Sequence, residues 1–425
     1  MIVKKINIGL LGLGTVGSSV VKILSKKKAE YRRNYGFEFN IKKILVKRIN
    51  AKRNVNVSNG ILTTNPDSIL NDPEIDTVIE VIGGLSPAKD MILKAIKNKK
   101  NVVTGNKHVL SLYGDKIIKE ARKNNCYLGF RAAITGSHQI LSHLYYGASV
   151  KSIIGVFNGT CNFILTEMEK SNKDFPEILE QAKQLGYAEA DPSMDIDGSD
   201  TAHKVIIVSK LLFGLNVKLE DFYVEGIRDI DIQDIQFSKE LNYRIKLLGI
   251  MKRENDSVDI RVHPALVPIN TSLALLKGAE NGIQIDDELR GQGGLYAEGA
   301  GGDPTASAII TDLMGVANGS PISWPKQVSK LLIKRIKSIN CKYYIRFNAI
   351  NKPGVLANIS SILGRFDINL NKVIQKGEKL DTVLPIIIIS DEAKENDVRK
   401  AIKLIDNLNV TKGKTKIIRI EENVF

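Results

Sequence analysis

The chain has 425 residues, 43% hydrophobic and 25% charged, which is enough apolar content to fill more than one core and too much for a disordered chain, and its length points to two or three domains. The net charge of +14 raises nucleic acid as a partner, but it is carried as +14 over residues 1–130, −10 over 131–320 and +10 over 321–425, and aromatics are only 6%, so a DNA-binding stripe is not expected. The longest apolar run near the C-terminus, Val383–Ile389, is too short for a membrane span, no signal-peptide pattern opens the chain, and the three widely spaced cysteines (Cys126, Cys161, Cys341) fit neither a disulfide framework nor a CxxC zinc site, so a cytoplasmic protein is expected.

Taken in chain order, Ile6–Leu11 reads as a strand, Val16–Lys28 as a helix, Ile41–Val46 and Thr77–Ile82 as strands, Met91–Lys97 as a helix and Asn101–Val103 as a strand. Strands alternating with helices predict βαβ units around a parallel sheet. Beyond about residue 135 the pattern becomes α+β: Val150–Phe157 and Val258–Val262 read as strands, and Phe175–Leu185, Asp200–Leu212 and Ile235–Leu248 as helices. Lys326–Lys337 reads as a helix or linker. Tyr343–Ile420 runs strand, helix, strand, strand, helix, strand, the ferredoxin-like order.

The first strand leads into Gly12-Leu13-Gly14-Thr15-Val16-Gly17, a GxGxxG at the first βα turn. Glycines there permit a tight turn and close backbone approach to a pyrophosphate facing the helix N-terminus. The bland alternative is a glycine-rich turn without cofactor. An NAD site wants a carboxylate at the end of the second strand. Here Lys47 and Arg48 stand there, with Lys52 and Arg53 beyond, which favours NADP, with NAD kept open; the competing reading is solvated surface lysines.

Five carboxylates fall between Glu189 and Asp200, followed by Lys204. Asp200 and Lys204 share a helix face if Asp200 opens the helix, and Asp200 is also a candidate N-cap. An EF-hand frame from Asp195 fails, because its sixth and twelfth positions hold Asp200 and Ile206. The apolar run Val205–Val208 predicts a buried helix, placing Lys204 near an interior cleft where a desolvated lysine beside a carboxylate can deliver a proton. The carboxylates suit a substrate bearing an ammonium group.

The frame Ala182-x3-Gly186-Tyr…Asp191-Pro-x2-Asp195-Ile-x-Gly198-x-Asp200-x3-Lys204 resembles the signature of homoserine dehydrogenases of the monofunctional kind with a C-terminal ACT domain. Val103-Thr-Gly-Asn-Lys107, Asn158-Gly-Thr-Cys-Asn and Gly299-Ala-Gly-Gly-Asp-Pro-Thr extend the resemblance over nearly the whole chain. It implies an α/β protein with a Rossmann-type NAD(P)-binding domain over 1–135 (return segment about 299–320), an α+β substrate-binding and dimerisation domain over 136–298, a linker over 321–341 and a ferredoxin-like ACT regulatory domain over 342–425. It implies NAD(P)H-dependent reduction of L-aspartate 4-semialdehyde to L-homoserine, on the way to threonine, methionine and isoleucine. By the same resemblance Lys204 is the general acid, Lys107 a second acid/base candidate that also touches the nicotinamide, and Asp200 the residue that positions lysine or substrate. Glu189, Asp195 and Thr160 bind substrate, and Thr104 and Gly301 join the glycine loop in lining the cofactor site. In the ACT block, Pro353-Gly354 makes the strand-to-helix turn, Val355, Leu356 and Ile359 mark a buried face, and Asn351 and Asn369 are the polar contacts for a small amino acid, with threonine the effector the resemblance implies; a dimerising module without ligand is the alternative. A homodimer or homotetramer is implied, and no nucleic acid or membrane partner.

One block departs from the pattern. An aromatic-Glu-Ala-x-Val-x-Gly-Gly-x-Pro segment, whose carbonyls hold a monovalent cation in the family, reads here Phe130-Arg131-Ala-Ala-Ile-Thr-Gly136-Ser137-His138-Gln139. Arg131 would oppose a cation, so no metal is assigned, and a catalytically weakened amino-acid sensor stands as the alternative function beside another ACT-bearing NAD(P) dehydrogenase. Cys161, His108, His138 and Trp324 read as structural residues.

Overall fold

A computed structural model describes residues 3–134, 149–299, 301–319, 329–377 and 379–425. The Gly136–Gln139 turn, His138 and Trp324 lie outside the described residues.

The N-terminal third folds as β1 (Lys4–Leu11), α1 (Thr15–Lys26), α2 (Lys28–Tyr35), β2 (Phe37–Leu45), β3 (Leu62–Thr63), β4 (Thr77–Glu80), α3 (Ala88–Lys97), β5 (Asn101–Thr104), α4 (Lys107–Lys123) and β6 (Leu128–Gly129). The six strands form one parallel sheet in the order β3-β2-β1-β4-β5-β6, with the order reversing beside β1. Ile8, Leu10, Leu11, Val78, Ile79, Val102 and Val103 are buried because helices cover both faces.

The next segment runs β7 (Val150–Val156), α5 (Gly159–Ser171), α6 (Phe175–Gln184), α7 (Ser199–Phe213), β8 (Tyr223–Val224), α8 (Ile232–Glu240), β9 (Tyr243–Glu254), β10 (Ser257–Pro268), β11 (Glu280–Asp287) and β12 (Gly291–Glu298). A long helix, α9 (Gly302–Asn318), then returns to the first sheet, where Ala306, Ile309, Ile310 and Leu313 join the core of Ile8, Leu10 and Val20.

The predicted helix Ile235–Leu248 is corrected by the structure: α8 stops at Glu240, Asn242 takes a left-handed turn with φ of 65°, and Tyr243 opens a strand paired along its whole length with β10. Ile245 and Leu247 face one core while Leu248 and Ile250 face another. A strand buried on both sides is apolar throughout, so hydrophobic periodicity does not separate it from a buried helix. Of the two readings of Lys326–Lys337, the helix is not formed over residues 329–337: the chain there makes a two-residue strand, β13 (Leu332–Ile333), on the edge of β10 and a single 3₁₀ turn, Ile336–Ser338.

The last segment is β14 (Asn340–Ile350), α10 (Val355–Arg365), β15 (Leu370–Gln375), β16 (Val383–Ser390), β17 (Ala393–Lys394), α11 (Glu395–Asp406) and β18 (Lys416–Ile420), with sheet order β18-β14-β16-β15. Val355, Ile359, Ile362 and Leu363 form the buried face of α10, whereas Leu356 is exposed, contrary to its predicted place. This sheet is continuous with the middle one. β18 pairs in parallel with β10, Ala265 opposite Arg419 and Leu266 opposite Ile420, so the C-terminal unit is stitched to the middle unit by backbone hydrogen bonding. Among the described residues no helix is long and apolar enough to cross a membrane.

Candidate active site

The glycine loop is built as its spacing requires. Gly12 has φ of +106° and lies against the Val81 carbonyl, where a side chain would clash, and Gly17 approaches the Gly12 carbonyl so closely that no Cβ fits. Gly14 caps α1, Thr15 and Val16 open its first turn, and the space beyond Gly14 is empty to 4 Å. A cavity of about 920 Å³ begins at Gly12, Leu13 and Gly14 and extends past Lys47, Arg48, Lys52 and Arg53 to Val81–Gly83. Its volume and its open helix N-terminus suit a dinucleotide. The Arg53 guanidinium donates to the carbonyls of Ile49 (2.6 Å), Ala51 (2.8 Å) and Arg48, folding the loop after β2 while Lys47, Arg48 and Lys52 remain exposed. Gly301 caps α9, and Gly302 beside it packs on Thr15 and Ser19 of α1.

Thr104 lies at the end of β5, but its side chain does not line the cavity. It is fully buried, donating to Glu80 at 2.6 Å and accepting from the Asn106 amide at 3.0 Å. Glu80, which sequence reasoning missed, accepts from the amides of Ile82 (3.0 Å) and Gly83 (3.3 Å) and from Thr104, so it orders both loops at this sheet edge. Burial pushes its carboxyl pKa up, against those hydrogen bonds. Its only signal was a carboxylate ending an otherwise apolar strand.

Lys107 is the first residue of α4, held there by the Asn106 side chain accepting from the Val109 amide at 3.1 Å. Across from it lies α7, capped by Gly198 at φ +83° rather than by Asp200, which is its second residue. One oxygen of the buried Asp200 carboxylate pairs with Lys107; the other lies 2.9 Å from Lys204, one turn along the same helix. Lys204 also donates to the Phe157 carbonyl at 2.5 Å, and Val205–Val208 are all buried behind it. Asn158, another residue missed as a site candidate, donates to Asp195 (2.7 Å) and Asp200 (3.0 Å) while capping α5 through the Cys161 amide (2.8 Å). Its signal was an Asn directly ahead of a helix.

The electrostatics follow from this packing. Burial opposes the Asp200 charge, but Lys204 and Lys107 outweigh it and hold the carboxyl far below the usual range. Burial, more than Asp200 restores, lowers Lys204, with Lys107 repelling it further. For Lys107 burial is outweighed by Asp200, then by Asp195 and Glu189, and its pKa rises. Burial and the neighbouring Asp200 raise Asp195. Two lysines thus share one carboxylate, and the deeper one holds its proton less tightly.

Thr160 donates to the Tyr187 carbonyl at 2.7 Å, and the Tyr187 ring stacks on Phe163, fixing the loop that exposes Glu189. Asp195 sits on a short helical turn, Ser193–Ile196. Cys161 is buried, its thiol raised well above its usual pKa by burial, and donates to the Asp195 carbonyl at 3.2 Å, as a packing residue would. His108 lies with its ring 4.9 Å from that of the buried His203.

Arg131 is not left facing a cation. It ion-pairs with Asp312, a fully buried residue of α9 that also accepts from the Arg131 amide at 2.9 Å. Burial raises the Asp312 pKa to about 6, against the pull of Arg131. Among the described residues no cluster of His, Cys, Asp or Glu is arranged to hold a metal ion.

Within one chain Asn351 and Asn369 are not brought together. Asn351 follows β14 at the Val383 end of β16 and accepts from Gln375 at 3.0 Å, whereas Asn369 precedes β15 at the Ser390 end and bonds Asp391 at 2.5 Å.

Comparison with known proteins places the whole chain among relatives of one family. Residues 12–131 match the family model for the homoserine dehydrogenase NAD-binding domain, 138–314 that for homoserine dehydrogenase and 343–409 that for the ACT domain. A homoserine dehydrogenase of Neisseria gonorrhoeae is 36% identical, covering 98% of this chain and 99% of the relative. The crystal structure of a homoserine dehydrogenase from Thiobacillus denitrificans superposes with a TM-score of 0.90 at 36% identity, covering 99% of each chain. A hyperthermophilic archaeal homoserine dehydrogenase in complex with NADPH matches 75% of this chain and 99% of its own at 26% identity and a TM-score of 0.63.

Proposed function

The chain belongs to the homoserine dehydrogenase family, and on that premise we propose how its own residues divide the work of the reaction. It is an NAD(P)-dependent oxidoreductase that reduces L-aspartate 4-semialdehyde to L-homoserine. The nicotinamide dinucleotide, when bound, supplies the hydride. Lys204 gives a proton to the carbonyl oxygen as it becomes an alkoxide, and Lys107 places a second cation beside that oxygen. Asp200 holds both ammonium groups in place and stays ionised when Lys204 has given up its proton. Asp195 and Glu189 receive the substrate's ammonium group, and Thr160 orders the Glu189 loop through Tyr187. The observation that carries this reading is the buried Asp200 carboxylate between Lys107 and Lys204. The test is NADPH oxidation by the full chain, which should require aspartate semialdehyde; no semialdehyde-dependent turnover would overturn it.

Gly12–Gly17 and Gly301 form the pyrophosphate end of the cofactor site, with Thr104 acting from behind through Glu80. NADP is the preferred form, supported by Lys47, Arg48 and Lys52 around a cavity edge where β2 ends without a carboxylate. The domain division at about 135 and 298 is supported by the two separate sheets and the return of α9, and that at about 341 by the separate hydrophobic core of the C-terminal unit, whose sheet continues the middle one.

For regulation, threonine at the ACT domain needs two subunits. β15 ends the sheet, and Val373 and Val383 are 39% and 49% exposed beside it. Antiparallel pairing of β15 with its copy sets Asn369 beside Gln375 and Asn351 of the partner subunit. A homodimer built this way, or a homotetramer of such dimers, holds two equivalent effector sites. Cytoplasmic residence rests on the sparse, unpaired cysteines.

A further inference from the structure

The loop that carries Asp195 and leads into Asp200 is braced from behind by the strand-like segment 223–227. The Ile227 amide donates to the Ile196 carbonyl at 2.8 Å, Gly226 packs so closely on Ile196 and Asp197 that a side chain there would clash, and the Glu225 carbonyl lies against Gly198. This brace is itself held at two points. Its backbone pairs with β10, the Glu225 amide donating to Val262 at 2.8 Å. Its Glu225 carboxylate reaches out of the middle unit to the C-terminal one, accepting from Arg419 of β18 at 3.2 Å and from the Tyr223 hydroxyl at 2.8 Å.

Arg419 is not free to follow Glu225. Its side chain is 2% exposed, donates to Glu395 at the start of α11 at 2.9 and 2.6 Å, and lies 4.6 Å over the Tyr223 ring. A bidentate guanidinium fixed this way presents its remaining N–H at one place. The Glu225 contact, whose acceptor side chain is 31% exposed, is therefore the adjustable member of the set, and the carbonyl of the same residue lies against Gly198 in the turn that precedes Asp200.

We propose that Glu225 is a positioning residue for the substrate-binding loop, holding Asp195 and the Gly198–Asp200 turn in register by tying them, through Tyr223 and Arg419, to the C-terminal unit. The proposal rests on the assignment of Asp195 and Asp200 above. It makes the C-terminal unit part of the substrate site's scaffold rather than an appended module.

The test uses the full-length chain with Glu225→Gln and, separately, Tyr223→Phe. Both keep the backbone pairing with Val262 and nearly the same volume. Glu225→Gln should raise KM for aspartate semialdehyde about tenfold, the equivalent of one charge-assisted hydrogen bond, with KM for NADPH and the melting temperature unchanged. Tyr223→Phe should move it the same way by less. Amide hydrogen exchange should quicken in residues 196–201 in both variants and not in the glycine loop at 12–17. Wild-type semialdehyde KM and wild-type exchange in both variants overturn the proposal, as does an equal rise in both KM values accompanied by a lower melting temperature. Exchange needs no substrate, so it decides the brace even if the wild type failed to turn over semialdehyde, a failure that would instead sink the functional reading.

Discussion

Lys204 and Asp200 stand one helical turn apart with 2.9 Å between Nζ and Oδ2, both side chains less than a tenth exposed, and the second Asp200 oxygen is taken by Lys107 from a different helix. The consequence is unequal basicity in one site. Lys204→Ala should lower turnover by about 10²- to 10⁴-fold, the usual value of a positioned acid, with NADPH binding retained. Steady-state kinetics with a cofactor fluorescence titration check it, and near-wild-type turnover would refute the assignment.

The same pair sets the pH dependence. Reduction needs Lys204 protonated, so its rate should fall as pH rises through the lysine's pKa, and burial places that fall below the ordinary lysine range. Asp200→Asn removes the carboxylate that supports the charge and leaves Lys107 to repel it. The fall should then move to still lower pH. A profile that stays put in the variant would show that Asp200 does not tune Lys204.

Cofactor choice turns on the exposed cations after β2. Replacing Lys47 and Arg48 together with alanine should cut kcat/KM for NADPH by about tenfold or more, the scale of lost charge-assisted bonds to a phosphate, and leave NADH nearly unaffected. A wild-type enzyme that prefers NADH would contradict the NADP reading.

His203 makes stability pH-dependent. Burial first, and His108 second, lower its pKa to about 4, against Asp200. The unfolded chain binds the proton more readily, so stability is complete above about pH 6.5, falls as the pH drops through that value and has lost its full share near pH 4, on the order of 3 kcal/mol. Chemical denaturation between pH 7 and 4.5 should show this slope, reduced in His203→Gln.

Arg131 and the fully buried Asp312 form an ion pair between segments distant in sequence. Arg131→Glu, restoring the residue type of the family pattern, would set a second carboxylate against the fully buried Asp312 and cost about 3–5 kcal/mol, the penalty for breaking a buried pair. Adding Asp312→Asn should recover part of it. Full stability in Arg131→Glu, measured by denaturant unfolding, would remove the pairing argument.

For the effector, L-threonine should raise the melting temperature of the wild type and not of Asn351→Ala, and Asn369→Ala should behave alike if the two belong to one site across subunits. Retention of the shift in both variants would leave the site elsewhere.

Much of this was legible in the linear chain because it is local. A glycine at fixed spacing after a strand, a lysine four residues past an aspartate and a β-α-β-β-α-β order are consequences of backbone geometry over a few residues, and they located the cofactor loop, Lys204 and the C-terminal unit. What lay beyond reach depends on partners distant in sequence. Residues 243–254 are a strand because β10 supplies twelve partners, and no local period distinguishes a doubly buried strand from a helix. The partner that neutralises Arg131 sits 181 residues away on a returning helix. Glu80 and Asn158 organise their loops through bonds whose acceptors and donors only the folded sheet edge assembles. Asn351 and Asn369, alike in the sequence as polar residues flanking strands, fall at opposite ends of β16, because β14 and β15 both run antiparallel to it, so the end of one and the start of the other lie a strand's length apart. The residue types came with their chemistry written in the chain, whereas the tertiary structure alone decided which charges meet, since burial and pairing are properties of the packed core and of no single segment.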